Sequence, residues 1–294
     1  MTQALVVINP VSGVRAYPGG VAEVELARRV LRQTGFDVRV TVTLGPGHAT
    51  EVTREAAGTG VKLVVAWGGD GTMNEVARAL AFGPVAMALV PAGSGNGLAR
   101  ELGVPLDAEA ALTLAASGHR RRIDAGEING QLFFNVAGVG LDARVAHAFA
   151  ASKGRRGLRS YLRLGAQELL RYQAQGYEVE SDGETASGLM LFIAMANSRQ
   201  YGSHGCIAPS ARVDDGRLDL VIVEDQPLWR VMTRVPAFFS GRLASGGGLR
   251  MSTFTRAHIA TAGRLDVHLD GEPATVAGPL DVRVHPGALT VVVP

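Results

Sequence analysis

The residues with the clearest chemical signature lie in the stretch AWGGDGTMNEVARAL, residues 66–80. Gly68, Gly69 and Gly71 surround Asp70 there, between an apolar run and a helical pattern. A glycine-rich turn that leads into a helix directs backbone N–H groups and the positive end of the helix dipole toward an anion such as phosphate. The carboxylate of Asp70 would repel that anion. The loop therefore predicts a cation, or a water bound to one, between Asp70 and the ligand.

The start of the helix after this loop carries a second local signal. Thr72 stands three residues before Glu75, which is the spacing of a capping box. We therefore expect Thr72 to begin the helix, with Glu75 folded back onto it. A plain connection between a strand and a capped helix, without any ligand, is the alternative for this loop taken alone.

Two further loops of the same kind follow apolar runs. PAGSGNGLAR spans residues 91–100, and NPVSG spans residues 9–13. The carboxyl ends of parallel strands meet at one edge of an α/β sheet, where such sheets bind ligands. Three glycine loops at one edge therefore predict a phosphate-bearing ligand. None is a Walker A loop, since the three contain no lysine, and no G-x-G-x-x-G with a following acidic residue supports a Rossmann dinucleotide site.

The sequence pattern changes near residues 118–122, which divides the chain into two predicted domains and assigns the three glycine loops to the first. Residues 1–121 alternate short apolar runs with helical patterns, which predicts a parallel sheet covered by helices. Residues 122–294 consist mainly of alternating runs separated by turn dipeptides, which predicts antiparallel β structure. Asn129-Gly130 predicts a tight hairpin and Pro286-Gly287 a turn between two final strands. Residues 155–173 and 227–241 have helical spacing.

Two acidic motifs of the second domain could take part in chemistry. Glu272 lies in LDGEP, and Asp215 lies in VDDG. Both motifs are equally typical of β-turns, so the residues alone leave functional and structural roles open. The histidines show no metal-ligand spacing, and Cys206, the single cysteine, excludes an internal disulfide.

Composition limits the classes of function. Of the 294 residues, 47% are hydrophobic and 19% charged, as in an ordinary globular protein with a large core. A formal net charge of +2 is too small to indicate nucleic-acid binding. No apolar stretch reaches the roughly 20 residues of a membrane span, and the first residues do not resemble a signal peptide. We therefore expect a cytoplasmic protein, with any membrane contact peripheral.

Six motifs together resemble one family. NPVSG, GGDGTMNEV, PAGSGNGLAR, GVGLD, PSARVDDGRLDLVIV and LDGEP are similar, in order and spacing, to the diacylglycerol kinase catalytic-domain family, which includes bacterial lipid kinases, sphingosine kinases and ceramide kinases. The similarity runs over nearly the whole chain. It implies an α/β nucleotide-binding domain like those of NAD kinases and phosphofructokinases, followed by an antiparallel β-sandwich for the lipid. It also implies an ATP-dependent lipid kinase that requires Mg²⁺.

The resemblance assigns the nucleotide site to the first domain. It implies that ATP contacts the first two motifs, a preceding threonine and the serine of the second glycine loop. The matching residues are Asn9, Pro10, Val11, Ser12, Gly13, Thr43, Gly68, Gly69, Asp70, Gly71, Thr72, Asn74, Glu75 and Ser94. Mg²⁺ on the phosphate oxygens would then explain the carboxylate of Asp70, which becomes a candidate for catalysis.

The resemblance assigns the acceptor side to the second domain. Glu272 matches the proposed catalytic residue of the family and would accept the proton of the acceptor hydroxyl. Asp142 in GVGLD matches an acidic position near the lipid headgroup in sphingosine kinases. A metal site is implied at the DDG segment, with the Asp215 side chain and the main-chain carbonyls of Arg212 and Arg217 as ligands.

Two basic stretches could bring the protein to a lipid. Residues 154–172 alternate leucines with arginines, and residues 227–243 combine arginines with Trp229, Phe238 and Phe239. Each is typical of a helix in the membrane interface, and equally of an amphipathic helix packed on its own domain. We expect peripheral contact at the inner membrane face. The oligomeric state stays open, a homodimer included.

Two other functions are compatible with these residues. The GGDGT core is shared with NAD kinases, so a soluble small-molecule kinase is one alternative, although MNEV and LDGEP favour the lipid branch. A nucleotide- or lipid-binding protein without turnover is the other. The acceptor lipid is undetermined, because GSGNGLAR is closer to the GSGNALA of sphingosine kinases than to the GTxNDFAR of many bacterial diacylglycerol kinases.

Overall fold

A computed structural model describes residues 2–12, 20–151, 158–201, 205–261 and 264–294. The chain divides into two compact units. Unit 1 contains residues 1–123 and 287–294, and unit 2 contains residues 124–286. The sequence assigned all of residues 122–294 to one domain, whereas residues 287–294 pack within unit 1.

Unit 1 is an α/β domain whose strands and helices alternate along the chain. They are β1 (Thr2–Ile8), α1 (Val21–Gln33), β2 (Phe36–Val42), α2 (His48–Gly58), β3 (Leu63–Gly68), α3 (Asp70–Leu80), β4 (Ala86–Pro91), α4 (Gly97–Glu101) and α5 (Ala108–Ser117). The strands are parallel in the order β2-β1-β3-β4. Every residue of β3 and β4 is buried, which is why these strands read as unbroken apolar runs.

The strand β5 (His119–Ile128) leads the chain into unit 2. The elements that follow are β6 (Gln131–Phe133), β7 (Val136–Gly140), α6 (Leu141–Ala151), α7 (Leu158–Arg171), β8 (Gln175–Ser181), β9 (Glu184–Ala196), β10 (Gln200–Tyr201), β11 (Gly205–Cys206), β12 (Leu218–Glu224), α8 (Leu228–Met232), α9 (Val235–Ser240), β13 (Leu249–Phe254), β14 (Arg256–Ala260), β15 (Arg264–Leu269), β16 (Glu272–Ala277) and β17 (Leu280–Val293).

Strand pairing in unit 2 is antiparallel, in the order β16-β15-β7-β9-β8-β14-β17. The long strand β9 changes partners along its length. Its first half pairs with β8, and its second half lies between β7 and β12. One apolar core cluster includes the fully buried Phe133, Tyr177 and Phe254, and a second includes Val136, Leu191 and Val221. The predicted fold class, an α/β domain followed by antiparallel β structure, is confirmed.

Local expectations for unit 2 were partly right. Asn129 and Gly130 take positive φ values of 47° and 85°, as the predicted β5–β6 hairpin requires. The predicted turn at Pro286-Gly287 is wrong, because β17 continues through both residues. The later part of β17 pairs in parallel with β4, with Val291 beside Met87, so the chain does not reverse direction at these two residues.

Two differences concern the helices. The helical stretch 227–241 forms two short helices, because Pro236 lies in the first turn of α9 and cannot continue an earlier helix. The helix α6 was not expected. Its buried residues include Leu141, Ala143 and Val145, so it lacks the single apolar stripe by which helices are recognised.

Candidate functional site

Three loops of unit 1 leave the carboxyl ends of neighbouring parallel strands. Asn9 follows β1, Gly69 follows β3, and the second glycine loop follows β4. Side chains join the first two loops. The Asn9 Nδ2 group donates to the Thr72 hydroxyl at 2.9 Å, and the Ser12 hydroxyl accepts the Gly69 N–H at 3.3 Å. The structure thus brings together most residues that were predicted to contact a nucleotide.

Asn9 also shapes the first loop itself. Its side-chain oxygen accepts the Val11 N–H at 3.2 Å, and its carbonyl accepts the Ser12 N–H at 3.2 Å. Pro10 lies at the centre of this turn. Gly13 lies outside the described residues, so its role stays a prediction.

Asp70 is held by the second glycine loop. Its Oδ2 accepts the Asn96 N–H at 2.9 Å, and its Oδ1 accepts the Gly97 N–H at 2.7 Å. Asn96 takes a left-handed conformation at the start of α4, and its side chain bonds both the N–H and the carbonyl of Gly93 at 2.8 Å. Two N–H groups of the protein therefore face the Asp70 carboxylate. Its expected interaction with a cation stays a prediction.

The environment of Asp70 changes its acidity. Burial raises the pKa of this carboxyl above its ordinary value, while the hydrogen bonds from Gly97 and Asn96 and the charge of Arg100 act in the opposite direction. Arg100 is fixed in turn, since its Nε donates to the Gly95 carbonyl at 3.1 Å. The fold therefore supplies several partners for the Asp70 carboxylate, while burial has the larger effect on its pKa.

The glycines of the two loops permit a close approach between them. A Cβ added to Gly95 would lie 2.5 Å from Asp70 Oδ2, and one added to Gly93 would lie 2.7 Å from the Gly69 Cα. A Cβ at Gly68 would lie 2.5 Å from the Thr72 hydroxyl. No side chain fits at these distances. These glycines are therefore required for packing, in addition to any role toward a ligand.

The predicted capping box at Thr72 and Glu75 is wrong. The helix α3 begins at Asp70, with the extended residue Gly69 as its N-cap. Thr72 lies inside the first turn and is buried, and its hydroxyl accepts a hydrogen bond from Asn9 rather than capping the helix.

Glu75 binds a different helix. Its two carboxylate oxygens accept the Gly47 N–H at 2.9 Å and the Ala49 N–H at 3.1 Å, at the start of α2. Gly47, the N-cap of α2, has no side chain that could do this. Glu75 therefore satisfies two N–H groups at the start of that helix and complements its dipole.

The other nucleotide candidates differ in exposure. Thr43 is buried, and its N–H donates to the Ile8 carbonyl at 2.8 Å, beside the first loop. Asn74 is buried within α3, and Ser94 is exposed in the second loop. Sequence reasoning missed the structural role of Asn96, although Asn takes a left-handed conformation more readily than most residues.

The candidate metal segment of unit 2 forms a tight turn. Asp215 is exposed, and its Oδ1 accepts the Arg217 N–H at 3.0 Å. The buried Asp124 accepts the Gly216 N–H at 2.7 Å and donates its own N–H to the Val213 carbonyl at 2.7 Å. Asp124 thereby fixes the backbone that carries the proposed ligand carbonyls of residues 212 and 217.

A further carboxyl lies near this turn. Asp219 is buried and accepts the Ser210 hydroxyl at 2.8 Å. Burial, with the nearby charge of Asp215, raises the pKa of Asp219. Among the residues that the structure describes, no group of three or more His, Cys, Asp or Glu side chains could hold a metal ion. One carboxylate with backbone carbonyls is a different donor set, and it fits Mg²⁺, which uses few carboxylates and keeps several waters.

Asp142 lies at the start of α6, directly after β7, and is buried. Its Oδ2 contacts Nε2 of His268 on β15 at 2.7 Å. A Cβ at Gly138 would overlap Asp142 Oδ2 and lie 2.7 Å from His268 Nε2, so the pair depends on this glycine. His268 was missed by the sequence analysis, since a single histidine in an alternating strand carries no recognisable signal.

His268 has a perturbed acidity. Burial lowers the pKa of the imidazole, but the charge and hydrogen bond of Asp142 and the charge of Asp270 outweigh burial, so the pKa lies above its ordinary value. The ring also contacts a backbone group, since the Gly271 N–H donates to His268 Nδ1 at 3.3 Å.

The DGEP turn connects β15 to β16. The carboxylate of Asp270 accepts three backbone N–H groups, from Phe134 at 2.9 Å, Asn135 at 2.7 Å and Val136 at 3.1 Å. Asp270 and Gly271 have φ values of 54° and 83°, which suit an Asp-Gly hairpin. Glu272 follows as the first residue of β16 and is exposed. The turn is thus both a hairpin, as the sequence allowed, and a fixed support for Glu272.

Comparisons with known proteins cover both units. Residues 3–128 match the family model of the diacylglycerol kinase catalytic domain. Residues 135–293 match the YegS C-terminal NAD kinase beta sandwich-like domain. A solved structure of a putative diacylglycerol kinase from Bacillus anthracis str. Sterne has a TM-score of 0.82 at 23% identity and covers 99% of this chain and 97% of that one. That likeness concerns the fold.

Two curated proteins match over most of their length. A probable lipid kinase YegS-like of Pseudomonas aeruginosa strain PAO1 is 37% identical over 283 residues, which cover 94% of this chain and 91% of that protein. The diacylglycerol kinase of Bacillus subtilis strain 168 is 28% identical over 278 residues, which cover 92% and 90%. The family predicted from the six motifs is confirmed.

Proposed function

We propose that this chain, which belongs to the family of YegS-like lipid kinases with a diacylglycerol kinase catalytic domain, transfers the γ-phosphoryl group of ATP to a lipid hydroxyl. The observation that carries the proposal is the interlocked set of three loops at the carboxyl ends of β1, β3 and β4. Phosphoryl transfer asks a protein mainly to position two reactants and to compensate charge, and such loops are suited to holding phosphates.

In this proposal the loops of unit 1 bind ATP. The start of α3, whose N-cap Gly69 carries no side chain, would direct its N–H groups at a phosphate. Asn9 and Ser12 hold the first loop against that helix, and Thr43 lies beside it. Asp70 would act by fixing the second loop around the nucleotide.

Mg²⁺ would neutralise phosphate charge when bound. The segment with Asp215 and the carbonyls of Arg212 and Arg217 is the candidate for a metal ion in unit 2, which would support the turn and need not be the ion on ATP. Asp70 is the candidate in unit 1, where each carboxylate oxygen accepts one protein N–H and keeps a second lone pair for the ion or for a water bound to it.

The acceptor lipid would be handled by residues of unit 2. Asp142 would accept a hydrogen bond from the headgroup, and the exposed Glu272 would take the proton of the acceptor hydroxyl. A bond would form between that oxygen and the γ-phosphorus, and the bond from the γ-phosphorus to the β–γ bridging oxygen would break, which releases ADP. A diacylglycerol-like or a sphingoid-like lipid meets these requirements.

A peripheral membrane contact would bring the lipid within reach. Within the described residues, no helix is long and apolar enough to cross a bilayer. The α8–α9 surface, which we define as Leu228, Trp229, Met232 and Phe239, leaves apolar side chains exposed, with Trp229 at 63% and Met232 at 52%. Arg230 lies 5.2 Å from the Trp229 ring. Apolar anchors beside arginines are typical of proteins that bind an anionic membrane surface. The surface proposed here is the inner face of the membrane, where ATP is available.

The other basic stretch is described only in part. Residues 152–157 lie outside the described residues, and α7 follows from Leu158 to Arg171. Its exposed Leu170 and the ion pair of Arg144 with Glu168, at 2.8 Å, fit a helix that packs on its own unit with one face outward.

The test is transfer from radiolabelled ATP, with Mg²⁺ supplied, to a panel of lipids in mixed micelles. The panel contains a diacylglycerol, a sphingoid base and a ceramide, and a separate reaction contains NAD. We expect label in at least one lipid and none in NAD. Label in NAD alone would replace the proposal by a small-molecule kinase, and ATP binding without any labelled product would replace it by a binding protein.

A further inference from the structure

We propose that His268 is a positioning residue for the acceptor side of the reaction, coupling Asp142 to the turn that carries Glu272. This inference rests on the proposed lipid kinase function. It assigns a role to a residue that lies outside every motif on which the family resemblance depends.

The contact between Asp142 and His268 is short and shielded from water. The 2.7 Å distance joins Asp142 Oδ2 to His268 Nε2, and the two side chains are only 6% and 3% exposed. A buried hydrogen bond between a carboxylate and an imidazole fixes the orientation of both side chains, because neither group can bind water instead. Gly138 leaves the space that the pair occupies.

The other side of the ring faces the DGEP turn. The Gly271 N–H donates to His268 Nδ1 at 3.3 Å, one residue before Glu272. A nitrogen that accepts carries no proton, so these partners assign the proton to Nε2 in the neutral ring. The neutral ring thus donates to Asp142 and accepts from the turn, and it links the candidate headgroup ligand to the candidate base.

Protonation would break this link. If Nδ1 of His268 were protonated, its N–H would face the N–H of Gly271, with the two nitrogens 3.3 Å apart. The hydrogen bond that holds the turn to the ring would then be lost. Because Asp142 raises the pKa of His268 against the opposing effect of burial, this release would occur at a higher pH than for an ordinary histidine. The coupling therefore predicts an acid limb in the pH profile of the lipid reaction.

Other ionisable groups near the ring have separate partners. Asp270, on the turn, is bound by three backbone N–H groups, and Tyr201 of β10 meets the ring edge-on at 6.1 Å between centroids. On α6, His147 contacts the Ala274 carbonyl at 3.2 Å.

Two further ionisable groups lie on the same elements. Arg144 of α6 pairs with Glu168, and Asp266 of β15 accepts the Thr275 hydroxyl at 3.2 Å. Asp142 and Asp270 are therefore the groups expected to govern the titration of His268.

Two substitutions separate the two contacts of the ring. The amide of His268→Gln reaches the position of Nε2 and keeps a donor for Asp142, whereas the shorter His268→Asn keeps an acceptor for Gly271 and loses Asp142. A misplacement of about 1 Å in a reacting group costs about 10²-fold in rate. We expect kcat/KM for the lipid to fall about 10²-fold in both variants, because either broken contact uncouples Asp142 from the turn, with the KM for ATP unchanged in both.

The matched control is His258→Gln. His258 of β14 pairs with Asp281 at 2.8 Å, the same chemistry as the buried pair, but at an exposed place. We expect wild-type kinetics and pH profile for this variant. In His268→Gln we expect the acid limb to move to lower pH, because the titration of the base Glu272 then remains. Equal kcat/KM in His268→Asn and wild type, or an acid limb at unchanged pH in His268→Gln, would overturn the proposal.

A spectroscopic readout keeps the inference separate from the activity. NMR titration of the labelled imidazole of His268 gives its pKa in wild type and in Asp142→Asn. We expect a decrease of about 1 unit or more in the variant, because the opposite charge is removed. An unchanged pKa would overturn the coupling. If the pKa falls but no lipid is phosphorylated by the wild type, the kinase proposal fails and the positioning role for the reaction fails with it, while the buried pair itself stands.

Discussion

Both carboxylate oxygens of Asp70 accept N–H groups from a loop 26 and 27 residues further along the chain. A carboxylate among phosphate-seeking N–H groups looked like a conflict in the sequence. The partners from the second loop reduce that conflict, because the hydrogen bonds from Asn96 and Gly97 favour the charged form of the carboxyl. The residue that fixes two loops together need not face the phosphate itself.

We expect Asp70→Asn to weaken both the fold and nucleotide binding. The amide supplies one acceptor oxygen, but its NH₂ group then faces an N–H of the second loop, which leaves a donor unsatisfied. Such a loss costs about 1–3 kcal/mol. Urea unfolding and calorimetric ATP titration measure the two effects. The exposed Asp37→Asn on β2 is the control, and equal unfolding free energies for both variants would contradict this account.

The partners of single residues could be predicted from the sequence only where they are local. The Asx turn at Asn9 and the hairpin at Asn129-Gly130 use neighbours within a few residues. The Asp142–His268 pair joins positions 126 apart, and no pattern of residue types reveals it. The motifs therefore indicated which loops lie together at the end of the sheet, but not what each of their residues contacts.

At the scale of elements, Glu75 connects α3 to the start of α2. We expect Glu75→Ala to destabilise unit 1 by about 0.5–2 kcal/mol, the range for loss of a helix cap, because Gly47 and Ala49 lose their acceptor. Glu75→Gln keeps one oxygen and should lose less. Chemical unfolding checks the order. The exposed Glu51→Ala in the first turn of α2 should have a smaller effect, and a reversed order would refute the capping role.

Within unit 2, the strands β5 and β17 share an acid-sensitive contact. The Glu127 carboxylate contacts the Arg283 guanidinium, with 2.8 Å between Oε1 and Nη2, and the His285 ring, with 2.7 Å between Oε2 and Nε2. Burial opposes ionisation, but the hydrogen bonds and charges of His285 and Arg283 lower the pKa of Glu127 overall. Because its pKa is lower in the folded state, Glu127 stabilises the fold at pH values above its unfolded-state pKa of 4.5. This contribution is lost as the pH falls through the folded-state pKa.

We therefore expect Glu127→Gln to lose about 1 kcal/mol of stability at pH 6, and progressively less as the pH falls below about 4.5. Urea unfolding of both proteins across this range provides the measurement. The exposed Glu180→Gln on β8 is the comparison, with no such pH dependence expected. A difference that grows on acidification would have the wrong sign for the proposed contact.

Elements with regular local patterns were predictable, and the exceptions have physical causes. The buried strands β3 and β4 and the amphipathic α1 carry their structure in adjacent residues. The continuity of β17 depends on a partner strand 204 residues earlier, as the pair of Val291 with Met87 shows. The helix α6 is stabilised by packing on several sides, which a periodicity argument does not detect.

At the scale of the whole molecule, we expect the α8–α9 surface to determine binding to vesicles. Trp229→Ala with Met232→Ala removes two exposed apolar anchors, each of which contributes roughly 1–3 kcal/mol when buried. Cosedimentation with anionic vesicles should fall by tenfold or more, and wild-type binding should weaken with added salt. The exposed Leu106→Ala of unit 1 is the control. Unchanged binding in the double variant would exclude this surface as the anchor.

The path of β17 has a consequence for synthesis on the ribosome. The sheet of unit 1 receives the strand beside β4 only after all of unit 2 has been translated, because residues 287–294 come after residue 286. Until then, β4 keeps an open edge that can pair with other chains. The first unit therefore stays incomplete while the second is translated. Chaperones that shield strand edges should increase the yield of folded protein most during that interval.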